Sequence, residues 1–208
     1  GAVGASAYVT VMKGCDERCS FCVVPYTRGP ERYRPAGDIA AEVRGLVEGG
    51  AREVVLLGQT VNSYLDPESP LPEGADPDES RFPELLARLV REAPTLDRLR
   101  YTSPHPRHLT PSLVRAHAEL DALSTHVHMP VQSGSDRVLR RMIRRYTRAE
   151  YVARVTALHH IEHALAQGRR DARPVVIHRQ RPRIVVAARG HPDLRAHARA
   201  GGVLHRVG

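Results

Sequence analysis

Three cysteines within a short stretch are the residues of this sequence best suited to chemistry. Cys15, Cys19 and Cys22 lie in the string GCDERCSFC, and the chain has no other cysteine. The spacing C-x3-C-x2-C supplies three thiolates, which can hold three irons of a four-iron, four-sulfur cluster and leave the fourth iron open. An open coordination position can bind a substrate or cofactor, as it does at catalytic zinc. We therefore predict an iron–sulfur site here.

Other uses of three thiols stay open at this point. A disulfide framework prefers an even number of cysteines and a secreted chain. A structural zinc site needs a fourth ligand at short range, and the nearest downstream histidine, His105, is far along the chain. Zinc and unrelated thiols therefore remain as alternatives to the cluster.

The order of secondary-structure signals predicts an α/β fold built on parallel strands. Short β-rich or apolar runs at 7–13, 52–58, 96–102 and 126–131 predict four strands. Helical periodicity alternates with them, at 38–48, 82–92, 110–120, 135–144 and 147–160, with Asp38 and Thr110 as N-caps. Four such units predict a whole or partial barrel of the TIM type.

Polar or thiol-bearing strings follow each predicted strand. The cysteine loop follows the first strand, GQTVN the second, SPHP the third and QSGSD the fourth. In parallel α/β folds the catalytic groups gather at the carboxyl ends of the strands. The common placement therefore predicts a single site.

The basic charge of the chain is concentrated in its last quarter. The net charge is +8, but ten of the 31 basic residues and only three of the 23 acidic ones lie in 159–208. The rest is nearly balanced, which weakens an interpretation of the whole chain as a nucleic-acid binder. No apolar run is long enough to cross a membrane, so we predict a cytoplasmic protein without membrane contact. Because the sequence starts without Met, we expect it to be a piece of a longer protein.

Four strings carry a resemblance to a known family. GCDERCSFCVVPYTRG at 14–29, REVVLLGQTVNSY at 52–64, YTSPHP at 101–106 and HMPVQSGSDRVLRRMIRRYTRAEY at 128–151 resemble the radical S-adenosylmethionine (SAM) tRNA methylthiotransferases. The resemblance implies a SAM molecule bound to the open iron, and a methylthio group added to carbon 2 of isopentenyl-adenosine beside the anticodon. Sister branches that modify a ribosomal protein or threonylcarbamoyl-adenosine are the alternatives, together with a non-catalytic iron–sulfur or zinc-binding fragment.

The resemblance also implies site residues and partners. It makes the three cysteines the cluster ligands, leaves the catalytic residue unassigned, and places cofactor contacts at Phe21, Gln59, Asn62, Ser103, Gln132 and Ser133. Local turn and cap hydrogen bonds are the alternative for the polar ones. A cationic patch is formed by Arg140, Arg141, Arg144 and Arg145. It is expected to contact tRNA phosphates or the SAM carboxylate, and a solvated helix face is the alternative. His105 and His128 are expected to pack or hydrogen-bond at strand ends. The expected partners are the tRNA anticodon loop and an electron donor such as flavodoxin or ferredoxin.

Several features depart from the family. Tyr33 stands where relatives keep Ser, and neither the N-terminal domain that binds a second four-iron cluster nor the small C-terminal β-barrel is visible. Residues 1–158 are therefore predicted to be a partial radical SAM core. We interpret residues 159–208 as a frame-shifted or foreign tail, because Arg, His, Ala, Gly and Pro dominate them without a defensible period. PVVI and RIVVAA could be strands there, and His159, His160 and His163 a metal site by helical spacing.

Overall fold

The computed structural model describes residues 4–168, with side chains as far as His159. Five strands are present in this range: β1 (Ser6–Thr10), β2 (Met12–Lys13), β3 (Arg32–Tyr33), β4 (Glu53–Leu57) and β5 (Arg98–Tyr101). The α-helices are α1 (Val24–Arg28), α2 (Ala36–Glu48), α3 (Phe82–Glu92), α4 (Pro111–Glu119), α5 (Asp136–Arg141) and α6 (Arg148–Gly168). The predicted tail strands and the His160 and His163 side chains lie outside the described residues.

A three-stranded parallel sheet in the order β1-β4-β5 carries the fold. Ala7 pairs with Val54, and Leu56 pairs with Tyr101. β4 has the apolar run VVLL because it is the central strand of the sheet, and its residues Val54 and Leu56 are fully buried. Helices α2 and α3 occupy the crossovers between the strands, so the prediction of a parallel α/β fold is confirmed.

The first predicted strand is divided in two at Val11. The Val11 N–H donates to the carbonyl of Leu57, whereas the Val11 carbonyl accepts from the N–H of Arg34. The chain therefore leaves β4 at this residue, and β2 continues as an antiparallel partner of β3. The cysteine loop therefore begins after β2, beyond the carboxyl end of β1.

The predicted fourth strand, 126–131, is wrong as a strand. Its alternation is preserved, since Val127, Met129 and Val131 are buried, but only Leu123 makes a bridge to the free edge of β5. Pro130 has no N–H to donate to a ladder. The carbonyls of Met129 and Val131 accept instead from the hydroxyls of Tyr151 and Tyr146. An extended segment held by tyrosines replaces the strand.

The helices lie close to their predicted ranges, with two corrections. Helix α2 begins at Ala36 with Pro35 at the cap position, so Asp38 lies in the first turn and is not the N-cap. There its carboxylate still faces the positive end of the helix dipole. Helix α6 continues to Gly168, beyond the predicted end at 160, so the predicted boundary at 158/159 falls inside a helix. None of the described helices is both long and apolar enough to span a membrane.

Candidate functional site

The cysteine loop opens with a glycine that no other residue can replace without distortion. Gly14 has a φ of +85°, and a Cβ placed on it would lie 2.0 Å from the carbonyl oxygen of Pro30. Its N–H donates to the Gln59 Oε1 at 2.6 Å. The loop after β1 is thereby tied to the loop after β4, as the predicted common site requires. The Gln59 side chain therefore has a structural role, as the acceptor of the Gly14 N–H.

The three cysteines are free thiols with different surroundings. Cys15 is buried, and its Sγ lies 3.2 Å from the hydroxyl of Thr60. Burial raises the pKa of the Cys15 thiol, and the Thr60 contact opposes that rise. Cys19 and Cys22 are partly exposed, and the Cys22 N–H donates to the Cys19 carbonyl at 3.0 Å. Sequence reasoning missed Thr60, although its place directly after Gln59 could have indicated it.

The segment between α5 and α6 closes over the cysteine loop. The Ser20 hydroxyl donates to the Arg141 carbonyl at 2.8 Å, and the Ser20 N–H donates to the Met142 carbonyl. The Arg144 Nη1 donates to the Cys19 Sγ at 3.1 Å. Of the predicted arginine run, Arg140, Arg141 and Arg145 are exposed, whereas Arg144 is buried. The solvated-face interpretation therefore fails for Arg144.

The predicted cofactor contacts divide into an interior group and a surface group. Asn62 is fully buried, and its amide binds the backbone of His105 through both its donor and its acceptor atoms. Ser103 and Gln132 are exposed in the left-handed region, with φ of +55° and +64°. Ser133 accepts a hydrogen bond from the Ser135 N–H. Ser133 is partly buried, and all three of Ser103, Gln132 and Ser133 follow β5 or the extended segment, beside the cysteine loop's end of the sheet.

Phe21, predicted as a cofactor contact, lies outside the described core. Its side chain is 58% exposed, and its neighbours Val23 and Tyr26 are 63% and 89% exposed. His128 is also exposed, whereas His105 is buried as expected. The aromatic before the third cysteine therefore faces outward from the loop in the described chain.

Glu17 of the cysteine loop forms a cluster with His105, Arg107 and His108 that sequence reasoning missed. Glu17 lies between Cys15 and Cys19 in the sequence, and its buried carboxylate accepts a hydrogen bond from the His108 Nε2 at 3.0 Å. Burial alone would raise the pKa of Glu17, but the bond from His108 and the nearby Arg107 charge lower it to about 2. Burial lowers the pKa of His105 to about 3. Within the described residues, the Glu17 Oε2 and the His105 Nε2 have no hydrogen-bond partner.

An open cavity of about 350 Å³ adjoins this cluster. Its wall includes Glu17, Glu31, Arg107, His108 and Arg145, so it carries charges of both signs. Burial raises the pKa of Glu31, despite hydrogen bonds from Tyr33 and Ser63. A zwitterionic ligand with amino and carboxylate groups is chemically suited to such a wall.

The donor set of the loop fits a cluster with one open iron. Among the side chains described, residues 4–159, no group of three His, Cys, Asp or Glu is arranged around a single metal ion. A four-iron cluster takes each thiolate on a different iron and so spreads its ligands. Three free thiols on one loop, clamped from two sides by Gln59 and Ser20, match that requirement.

Comparison with known proteins identifies the family. The sequence profile of the Radical SAM superfamily matches residues 9–162. The chain belongs to the radical SAM superfamily. This superfamily uses a four-iron, four-sulfur cluster and SAM, and its members include a solved methyltransferase with such a cluster bound. The predicted radical SAM membership, α/β fold class, four-iron cluster and SAM are therefore confirmed.

This chain aligns with only part of the length of its relatives. The chain is 73% identical over 158 residues to the tRNA-2-methylthio-N(6)-dimethylallyladenosine synthase of Sorangium cellulosum. The aligned region covers 74% of this chain and 32% of the relative. A protein of the same name from Acidithiobacillus ferrooxidans is 50% identical, covering 76% of this chain and 34% of the relative. The chain thus spans about a third of the length of these relatives.

Solved structures agree at the level of the fold. The radical SAM methyltransferase TsrM of Kitasatospora setae superposes with a TM-score of 0.54 at 18% identity, covering 73% of this chain and 28% of that chain. The cobalamin-dependent radical SAM enzyme OxsB superposes with the same TM-score at 11% identity, covering 74% of this chain and 22% of that chain. These identities support the shared fold alone.

Proposed function

We propose that this chain is the radical SAM core of a tRNA methylthiotransferase that modifies carbon 2 of isopentenyl-adenosine beside the anticodon. The observation that carries the proposal is the clamped loop of three free thiols at the carboxyl end of a parallel sheet. The 73% identity to a named synthase favours this branch over those acting on ribosomal protein or threonylcarbamoyl-adenosine.

In this proposal Cys15, Cys19 and Cys22 hold the cluster. A reduced cluster held there would supply one electron to bound SAM, whose carbon–sulfur bond would break to give methionine and a carbon-centred radical able to take hydrogen from the substrate. The chain's own residues orient and protect the ligands. Thr60 and burial fix the Cys15 side chain, and the Gly14–Gln59 bond fixes the start of the loop. Ser103, Gln132, Ser133 and Phe21 stay proposed SAM contacts, because they border the same end of the sheet. Asn62 contributes by holding the His105 backbone.

Exposed arginines around the loop support a tRNA partner. Half of the arginines in residues 4–159 make ion pairs, such as Arg52 with Asp97 and Arg88 with Glu92. Seven exposed arginines that make no ion pair within residues 4–159 lie in two segments that the Ser20 hydrogen bond joins. They are Arg18, Arg28, Arg32, Arg137, Arg140, Arg141 and Arg145. Free guanidinium groups bind phosphates, and exposed rings such as Phe21 and Tyr26 can stack on unpaired bases.

Further parts of the reaction are assigned to the whole protein. We propose that its second cluster supplies the sulfur, and that a flavodoxin or ferredoxin supplies the electrons in the cytoplasm. A base inside a duplex hides carbon 2, so the substrate is an unstacked base of the anticodon loop.

Anaerobic reconstitution tests the core of the proposal. The chain should take up about four irons and four sulfides. Replacing any one of Cys15, Cys19 or Cys22 by Ala should abolish the cluster. Stoichiometric zinc in place of iron, or a cluster that survives the triple replacement, would contradict the cluster. Cleavage of SAM under dithionite, absent from Cys19→Ala, then separates an enzyme from a binding fragment.

RNA binding is tested with charge variants. The double variant Arg140→Gln, Arg141→Gln should weaken binding of an anticodon stem-loop and lower the salt slope of log Kd by about 1 to 2. Arg115→Gln, which removes an exposed charge on α4, serves as the control. Equal affinity and slope in both proteins would contradict the assignment of this surface.

A further inference from the structure

Arg144 occupies a position that an ordinary surface arginine would not take. It is only 8% exposed, and its Nη1 lies 3.1 Å from the Cys19 Sγ. Its Nε lies 3.4 Å from the Tyr146 hydroxyl, and its guanidinium lies 5.6 Å from the centre of the Tyr146 ring. No carboxylate of the described residues forms an ion pair with it. A buried cation without an anionic partner is costly, so the position points to an anion that completes it.

The backbone on both sides of Arg144 is arranged to turn it inward. Ile143 and Arg145 both adopt the left-handed conformation, with φ of +56° and +53°. Each of these left-handed residues costs about 1–2 kcal/mol. The surrounding packing therefore has to impose this backbone conformation on both sides of Arg144. The Ser20 bonds to the Arg141 and Met142 carbonyls anchor the segment at one end, and buried Tyr146 anchors it at the other. The contact with Cys19 is therefore built into the fold.

We propose that Arg144 is a positioning residue for the cluster ligand Cys19 and makes one-electron reduction of the cluster easier. This inference rests on the cluster of the proposed function. Reduction moves one electron from a low-potential one-electron reductant, such as dithionite, onto the cluster, and no covalent bond changes. The added negative charge is shared with the ligand sulfurs. A charged N–H donor held against one of them in a partly dry site stabilises the reduced form more than the oxidised form.

Potentiometric titration of the reconstituted full chain, followed by electron paramagnetic resonance without SAM, tests the inference. Arg144→Gln should make the equilibrium constant for reduction about tenfold smaller, a shift of 59 mV to lower potential. Arg144→Lys keeps the charge but loses the planar donor fork, and it should recover part of the shift. Arg115→Gln, which removes an exposed charge on α4, should leave the potential unchanged.

The outcomes separate this inference from the function on which it rests. A wild-type chain that takes up no four-iron cluster overturns the proposed function and the inference with it. Loaded proteins whose potentials agree across wild type, Arg144→Gln and Arg144→Lys overturn the inference alone. A variant that binds SAM more weakly, with an unchanged potential in the absence of SAM, assigns Arg144 to the SAM carboxylate and likewise overturns it.

Discussion

At the scale of single residues, unusual backbone conformations gather around the cysteine loop. The described non-glycine residues with positive φ are Arg18, Ser103, Gln132, Ile143 and Arg145. All lie in the loop itself, after β5, after the extended segment, or in the segment that closes over the loop. Left-handed backbone in residues with a Cβ persists only where the surrounding structure imposes it, and such positions cluster at functional sites. This distribution independently marks the same end of the sheet as the thiols.

Gly14 and Gly29 allow a matched test of how the loop is built. Both have positive φ, but a Cβ on Gly14 would meet the Pro30 backbone, whereas nothing lies within 4 Å of one on Gly29. Gly29→Ala should lower the free energy of unfolding by about 1–3 kcal/mol, because its φ of 76° and ψ of −166° lie in a region essentially restricted to glycine. Gly14→Ala should cost more and should also displace Cys15. Urea denaturation and iron content measure the two effects. Equal losses in both variants would show that the clash with Pro30 is relieved without cost.

At the scale of elements, the sequence predicted the positions of helices better than the pairing of strands. The helices α3 and α4 have strong periodicity and Pro at their first turns, so their ranges could be predicted closely. The β-like alternation of 126–131 correctly identified buried and exposed side chains. It could not show that the carbonyls of Met129 and Val131 bind tyrosine hydroxyls instead of a neighbouring strand. Those partners are long-range contacts that local periodicity does not encode.

The candidate site shows the same division. The spacing of the cysteines predicts the cluster ligands, and the order of the loops was sufficient to predict that the cysteine loop and the loop after β4 lie together. The interior location of Glu17 and Arg144 could not be predicted, because charged residues are normally exposed unless they are paired. Their partners, His108 and Cys19, are far from them in the sequence.

The tyrosine bonds of the extended segment can be tested directly. The Tyr151 hydroxyl donates to the Met129 carbonyl at 2.7 Å in a buried location. Tyr151→Phe leaves that carbonyl without a partner, so the free energy of unfolding should fall by about 1–3 kcal/mol. Amide hydrogen exchange in 127–131 should become faster. Tyr26→Phe, at a residue that is 89% exposed, is the control and should change stability by less than about 0.5 kcal/mol. Equal stability of the two variants would contradict this role of Tyr151.

At the scale of the whole molecule, stability should depend on pH through a histidine remote from the loop. His117 of α4 is buried, and its Nε2 lies 2.7 Å from the Tyr101 hydroxyl. Burial lowers the pKa of His117 from 6.5 to about 4. Below pH 6.5 the unfolded chain therefore binds a proton that the folded chain does not yet bind. The stabilisation present above pH 6.5 should be lost progressively as the pH falls to about 4.

The His117→Gln variant isolates this dependence. Glutamine can still hydrogen-bond the Tyr101 hydroxyl, but it does not titrate. The free energy of unfolding of the variant, measured in urea between pH 7 and 4, should fall less steeply than that of wild type. His128→Gln, at an exposed position, is the control and should follow wild type. Parallel curves for wild type and His117→Gln would contradict the assignment.

The clamp between the cysteine loop and the α5–α6 segment also sets an order of events during synthesis. Ser20 and Cys19 meet partners 121 and 125 residues further along the chain. At about 5–20 residues per second, the ribosome needs roughly 6–25 s to add that length. During this interval the three thiols are not yet covered by the α5–α6 segment, because it has not been synthesised. Because free thiols react with oxidants and stray metals, insertion of iron and sulfide is expected to follow completion of this region.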